Sequence, residues 1–451
     1  METIDILSRD DYVKYLKEII GEANKDSYKK THIIELDGSW GSGKSFILQK
    51  LIDQEKDNFI FFTYNAWEND YYDEPLVGLL YCLAKELNRI NKLHNIVNGV
   101  SKKIIKGISD LFINLGNALI KNKTGIDFKK IYKEINNGVK DVLKDEEIDL
   151  SFNDKTILEI TKSSVKKALE IISYENKIVI IVDEVDRCLP EYGLKVLERL
   201  HHLLVDIPNV QAIVANNRDA FKKMIISKYG FDEADANIYF DKFFDHSLLV
   251  NEGNLSDTFN DKYNSYVSMF NKIEIIKDED IKTFRSELFN MLDIRTVDKS
   301  IVNACLIHNS ISDKSTIYDK SVECFEILTS CLMLYCKHKN MKLTSIESLF
   351  HGKCNPSQII FFGENKDNKM LEWLICRFDK QNFFYSKTNY ETKINVTSFW
   401  SAIWYYCIKI FGNGCFTKYK IQSSNGISAE SNVVYLQKFY KELRVLYGKI
   451  G

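Results

Sequence analysis

A chain of 451 residues, 45% apolar and 27% charged, is long enough for two or three domains, and its make-up excludes a mainly disordered protein. With only 4 prolines and 20 glycines, long unstructured linkers are also excluded. A net charge of −2 excludes a global attraction to nucleic acid or anionic membrane, so any such binding needs a local patch.

The N-terminal METIDILSRDDY has no basic-then-apolar leader pattern, and the ten cysteines are scattered. Both features predict a cytoplasmic chain with reduced thiols. No run of about eighteen apolar residues occurs, so no clean membrane span is expected. Abundant Lys, Asn and Ile suit an AT-rich bacterial genome.

In chain order, the first informative stretch is THIIELD, residues 31–37, an apolar run that reads as a buried strand. GSWGSGKS follows and fits G-x-x-x-x-G-K-[ST] with Gly38, Gly43, Lys44 and Ser45. SFILQKLIDQ then spaces Phe46, Leu48, Leu51 and Ile52 as a helix does. Strand, glycine loop and helix are the order a phosphate cradle requires.

The residue types match that chemistry. Glycines let the backbone turn tightly and approach a phosphate closely. Backbone N–H groups of the loop and helix start point at the anion. Gly38, Ser39, Trp40, Gly41, Ser42, Gly43, Lys44, Ser45 and Phe46 are therefore the expected nucleotide-binding residues. Lys44 would neutralise β- and γ-phosphate charge, and the Ser45 hydroxyl would ligate Mg²⁺.

Further on, SKKIIKGISDLFINLGNALIKNK places Ile104, Ile108, Leu111, Phe112, Leu115 and Leu119 at helical spacing, an amphipathic helix. Residues 99–141 hold nine lysines against four acids. Two readings stay open: a helix packed on the core with a solvated basic face, or a contact with a membrane surface, a partner or nucleic acid.

KIVIIVDEVDRC, residues 177–188, is a second buried strand that ends in Asp183 and Glu184. Asp183 is the expected Mg²⁺ partner, and Glu184 the base that orients and activates the attacking water. A helix with Leu194, Leu197, Leu200 and Leu204 on one face follows. A third strand runs from Val210 to Ala215, with Asn216 and Asn217 at its end. Either asparagine is a candidate polar sensor between base and γ-phosphate; the alternative is an Asn-rich turn. No N-K-x-D tetrapeptide occurs, which favours ATP over GTP.

These pieces resemble the KAP family of P-loop NTPases. The resemblance rests on Trp40 before the second glycine of the loop, on Asn-Ala-Trp at the end of IFFTYNAWEND, and on Asp183, Asp186, Arg187 and Cys188 in the D-x-x-D-R-C pattern. IYFDKFFDHSL, residues 238–248, follows in the family's order. Many relatives have Asp where Glu184 stands, and either can polarise water.

The resemblance implies an α/β fold: a parallel sheet wrapped by helices, then a helical region. It implies a P-loop ATPase domain over residues 1–250 with a helical insertion at about 92–165. A lid-like helical region over 251–350 and an α-rich region over 351–451 are expected beyond it. It also implies Mg²⁺-dependent ATP hydrolysis that drives a switch or an assembly. The bacterial relatives point to anti-phage defence, with a protein effector or self-assembly as partner.

Further site residues follow from the same likeness. Arg187 either pairs with Asp186 or reaches a neighbouring subunit's phosphate. Trp67 is expected in the core beside the site. Lys242 is either a phosphate sensor or a solvated charge. Arg295 is either a sensor arginine or a salt-bridge partner, and Ile294 stands where the family has Pro. Cys331, Cys336, His338, His351 and Cys354 fit zinc modules poorly, and the cysteines read as buried apolar residues.

Overall fold

The computed structural model describes residues 9–25, 31–92, 100–120, 157–251, 270, 279–312, 318, 320–338, 386–388, 391–396, 402–403, 405–407, 410, 420–423 and 429–447. They divide into two compact units, one spanning 9–252 and the other lying beyond it.

The first unit opens with helix α1 (Asp10–Ala23), strand β1 (Ile33–Gly38), helix α2 (Lys44–Glu55) and strand β2 (Ile60–Asn65). A 3-10 turn (Trp67–Asn69) leads into α3 (Pro75–Lys92), α4 (Lys102–Ile120) and α5 (Ile157–Ser173). Strand β3 (Ile178–Asp183) and a second 3-10 turn (Val185–Arg187) follow. The unit closes with α6 (Pro190–Leu203), β4 (Val210–Asn216), α7 (Arg218–Tyr229), α8 (Glu233–Asp241) and β5 (His246–Val250).

The five strands form one parallel sheet in the order β2-β3-β4-β1-β5. Strand β4 therefore lies between β1, which leads into the glycine loop, and β3, which ends in the acids. Both faces of the inner strands are covered, and β3 and β4 are buried along nearly their whole length, whereas edge strand β5 is largely exposed. Ile34, Leu36, Val179, Ile181 and Ile213 pack with α1 and α2 on one face. Ile33, Ile180, Val182, Ala212 and Val214 pack with α3, α6 and α7 on the other. This is the α/β architecture expected from the sequence.

One local expectation, the core position of Trp67, is corrected, and the packing of α2 and α4 is now specified. In α2 the buried stripe is Ile47, Leu48 and Leu51, and Phe46 is only half-buried. The Lys50 ammonium lies 5.6 Å from the centre of the Phe46 ring. Trp67 is 50% exposed and outside the core. It starts a 3-10 turn after β2, where the chain has already left the sheet. The amphipathic helix α4 does form, and its apolar face is buried against α3: Ser109 donates to the Ala84 carbonyl at 3.1 Å, and Tyr81 donates to Asn117 at 2.8 Å. The stripe that would lie on a membrane is thus used inside the unit. No helix among the described residues is long and apolar enough to cross a membrane. Residues 121–141, the rest of the basic stretch, lie outside the described residues.

The second unit contains α9 (Glu279–Phe289), α10 (Ile294–Ile311), α11 (Lys320–His338) and α12 (Ala429–Tyr447). Helical residues 402–403, 405–407 and 410 join its core, with Tyr405, Tyr406 and Cys407 buried. A small sheet in the order β6-β7-β8 (Ser386–Thr388, Glu391–Val396, Lys420–Ser423) adds strands to the α-rich reading of 351–451. Its strands are three to six residues long and mostly polar, too short for periodicity to mark them. Cys324, Cys331 and Cys336 are buried on α11, where burial pushes their thiols up to about 12, 12 and 11. No metal-holding cluster occurs among the described residues. His351 and Cys354 lie outside them.

One charged residue sits inside the main sheet. Glu35 of β1 is 0% exposed and accepts from Arg218 Nη1 at 2.8 Å, from Ser247 Oγ at 2.6 Å and from Asn216 Nδ2 at 3.1 Å. Burial pushes its carboxyl up, against the pull of those partners. The group ties β1, β4, β5 and α7 together. Glu35→Ala would remove the buried partner of Arg218, leaving it Asp241 and Ser247, and should destabilise the unit by about 3 kcal/mol, read from urea denaturation.

Candidate active site

All five strands are parallel, so their C-terminal ends meet at one edge. Register places Asn65 beside Asp183, Asp37 beside Asn216, and Gly38 beside Val250. The glycine loop and the acidic turn after β3 therefore face the same crevice.

Gly41 and Gly43 take φ of 89° and 92°, conformations that disfavour any side chain. At Gly38 a Cβ would lie 2.7 Å from Ser42 Oγ and 2.9 Å from the Val250 carbonyl, so the loop closes only on glycine. Gly43 caps α2 with no side-chain hydrogen bond, and the first turn carries no acid. The N–H groups of that turn and the positive helix end are thus left to an anion. Ser42 Oγ is buried without a hydrogen-bond partner, a second donor suited to a phosphate oxygen. Lys44 Nζ donates to the carbonyls of Gly38 at 2.6 Å and Ser39 at 3.0 Å, which holds the ammonium in the mouth of the loop.

Ser45 Oγ donates to Asp183 Oδ2 at 2.7 Å, and the Glu184 N–H donates to Asp183 Oδ1 at 2.8 Å. Burial raises the Asp183 carboxyl from its ordinary value, and these two hydrogen bonds and nearby Lys44 only partly oppose it. A hydroxyl and a carboxylate this close, with charge still incompletely balanced, suit a hard divalent cation.

Glu184 adopts φ 62°, ψ 28°, a left-handed conformation that costs a non-glycine residue about 1 kcal/mol. Its Oε1 lies 2.7 Å from Arg187 Nη1, and its Oε2 accepts from Asn65 Nδ2 at 3.1 Å. The guanidinium of Arg187 lies 5.5 Å from the centre of the Trp67 ring. Of the two readings of Arg187, the pair with Asp186 does not form: Arg187 folds back onto Glu184, across the left-handed turn. Asp186 is buried and instead accepts from the indole N–H of Trp40 at 2.5 Å, tying the tip of the glycine loop to the acidic turn.

The remaining sequence candidates are dispersed. Asn216 is buried and bonded to Glu35, below the rim. Asn217 caps α7 by accepting from the Ala220 N–H at 3.1 Å. Lys242 is exposed, over the Tyr239 ring. Arg295 is exposed in the first turn of α10, in the other unit. Ser39, Trp40 and Ser42 lie in the loop as expected from spacing.

Three contributors escaped the sequence reading. Asn65 ends β2 beside the acids, and its position before Ala-Trp was the available signal. The Trp40–Asp186 bond joins two motifs 146 residues apart. Glu35 was marked only by being an acid in the middle of an otherwise apolar run, Ile33 to Leu36. A cleft of about 960 Å³, lined by Lys17, Glu55, Phe59, Arg89 and Lys177, opens where β2 and β3 begin, away from the acids.

Trp40→Phe deletes the donor to buried Asp186 while keeping an aromatic ring. Urea denaturation should show a loss of about 1–2 kcal/mol.

The model of the KAP family P-loop domain matches residues 9–313, in line with the resemblance carried by the loop and the D-x-x-D-R-C motif. The crystal structure of Cdc6p from Pyrobaculum aerophilum is similar at a TM-score of 0.37 and 12% identity, over 98% of this chain and 95% of that chain. No curated protein sequence matches the chain.

Proposed function

The chain belongs to the KAP family of P-loop domains, a nucleotide-binding NTPase fold, and on that premise we propose that it is a Mg²⁺-dependent ATPase whose cycle drives a conformational switch or an assembly. The observation that carries this reading is the 2.7 Å contact between Ser45 and Asp183, with Glu184 next in the chain. It brings the helix-opening hydroxyl and two acids to one crevice.

Loop amides, Ser42 and Lys44 would bind the phosphates. Lys44 would exchange the Gly38 and Ser39 carbonyls for phosphate oxygens. Ser45 and Asp183 would hold the magnesium, which neutralises charge on the phosphates when bound. Glu184 would orient water and accept its proton. ATP is preferred to GTP because no N-K-x-D guanine-reading element occurs in the sequence. Asn216 would act indirectly, through its bond to Glu35 and the end of β4.

Binding that pulls Lys44 and Asp183 toward the nucleotide would reposition the Trp40–Asp186 tie, and with it the acidic turn. Such a change is a switch that a protein effector or a second copy can read. A role in bacterial anti-phage defence is the context the family resemblance suggests, and loss of phage resistance in cells carrying Lys44→Ala would support it.

Steady-state hydrolysis tests the core reading. Glu184→Gln should lower kcat about 100-fold or more while ATP binding persists. Lys44→Ala should lose both binding and turnover. Hydrolysis that survives Glu184→Gln would overturn the assignment of the base. The same assay with DNA, RNA and anionic liposomes tests the other partner classes.

A further inference from the structure

We infer that Arg187, braced by Trp67, is an in-cis restraint that holds Glu184 in a resting pose and keeps basal turnover low. The inference rests on the reading of Glu184 as the base.

Three observations converge. First, both carboxylate oxygens of Glu184 are engaged from the sides: Arg187 holds Oε1 at 2.7 Å and Asn65 holds Oε2 at 3.1 Å. A carboxylate gripped at both ends is fixed in direction and presents fewer lone pairs to a water. Second, the backbone at Glu184 is left-handed, a conformation that persists in a non-glycine residue only where the surroundings hold it. The holders are local. Asp183 Oδ1 accepts the Glu184 N–H at 2.8 Å, the Arg187 N–H donates back to the Glu184 carbonyl at 3.2 Å, and the ion pair closes the same turn, Glu184 to Arg187. Third, the guanidinium is placed by a ring outside the turn, 5.5 Å from the centre of Trp67, which follows β2. A cation stacked on an aromatic is pre-positioned and loses less freedom when it pairs.

The pair is not an ordinary surface bridge. The side chains of Arg187 and Glu184 are only 29% and 17% exposed, so solvent screens the contact poorly. Trp67 itself is half exposed, so the brace is open to disturbance from outside while the base is not. Arg187 is thus a positioning residue: it acts through Glu184 and not on the substrate.

The test is steady-state ATP hydrolysis with saturating Mg²⁺ on the full chain, comparing wild type, Arg187→Ala, Arg187→Lys, Trp67→Ala, Glu184→Gln and the double variant Glu184→Gln/Arg187→Ala. The restraint predicts a kcat raised about 5-fold in Arg187→Ala with KM for ATP unchanged, and a smaller rise in Trp67→Ala. Arg187→Lys should return toward wild type, and the double variant should be as slow as Glu184→Gln. A purely structural role would not raise kcat at constant KM. If Arg187→Ala misfolds by circular dichroism, Trp67→Ala and Arg187→Lys decide, and equal or lower kcat in both overturns the restraint. A fall in kcat for a folded Arg187→Ala also overturns it and assigns the guanidinium to phosphate charge instead. Wild-type rates in Glu184→Gln would instead show that the base reading has failed, whatever Arg187 does.

Discussion

The Ser45 hydroxyl donates to Asp183 across the edge of the sheet, and the geometry of the site depends on that meeting. The two residues are 138 positions apart and come from elements that are not neighbours, because β4 lies between β1 and β3. They meet because every strand is parallel, so each one ends at the same edge. A one-residue slip in any strand would swap the side chains packed on the two faces and lose the registers that bring the strand ends together. Trp40 and Asp186 make a second tie a few residues further out.

Electrostatics at that edge are paired acid by acid. Asp183 is met by Ser45 and the Glu184 N–H, Glu184 by Asn65 and Arg187, and Asp186 by Trp40. Glu35, beneath them, is met by Arg218, Ser247 and Asn216. Buried carboxylates persist only when paired or hydrogen-bonded, and here the partners come from five different segments of the chain. The acidic edge therefore forms only when the whole sheet is assembled. Among these acids, burial raises the carboxyls of Asp183 and Glu35. At Asp183 a divalent cation would relieve that cost, whereas at Glu35 the guanidinium of Arg218 already lies in place.

Much of this was legible in the residues. The glycine loop, the strand before it and the two acids after Val182 carry constraints that act over a few residues, so spacing reveals them. The core strands were legible because sheets covered on both faces need unbroken apolar runs. What spacing cannot reveal are contacts set by tertiary geometry. Arg187 had Asp186 as one of two candidate partners, and across the left-handed turn at Glu184 it meets Glu184 instead. Trp67 was expected in the core from the family likeness, yet it lies just past the strand end and is half exposed. The amphipathic stripe of α4 showed that one face is buried but not that α3 covers it. The short polar strands of the second unit carry no period strong enough to read.

The most direct measurement is a crystal structure of the chain with a non-hydrolysable ATP analogue and Mg²⁺. The account predicts the phosphates within the loop from Gly38 to Phe46, Lys44 turned from the Gly38 and Ser39 carbonyls onto them, and the metal between Ser45 and Asp183. Nucleotide bound at another edge of the sheet would contradict it. So would phosphates in the loop with the metal held by residues other than Ser45 and Asp183.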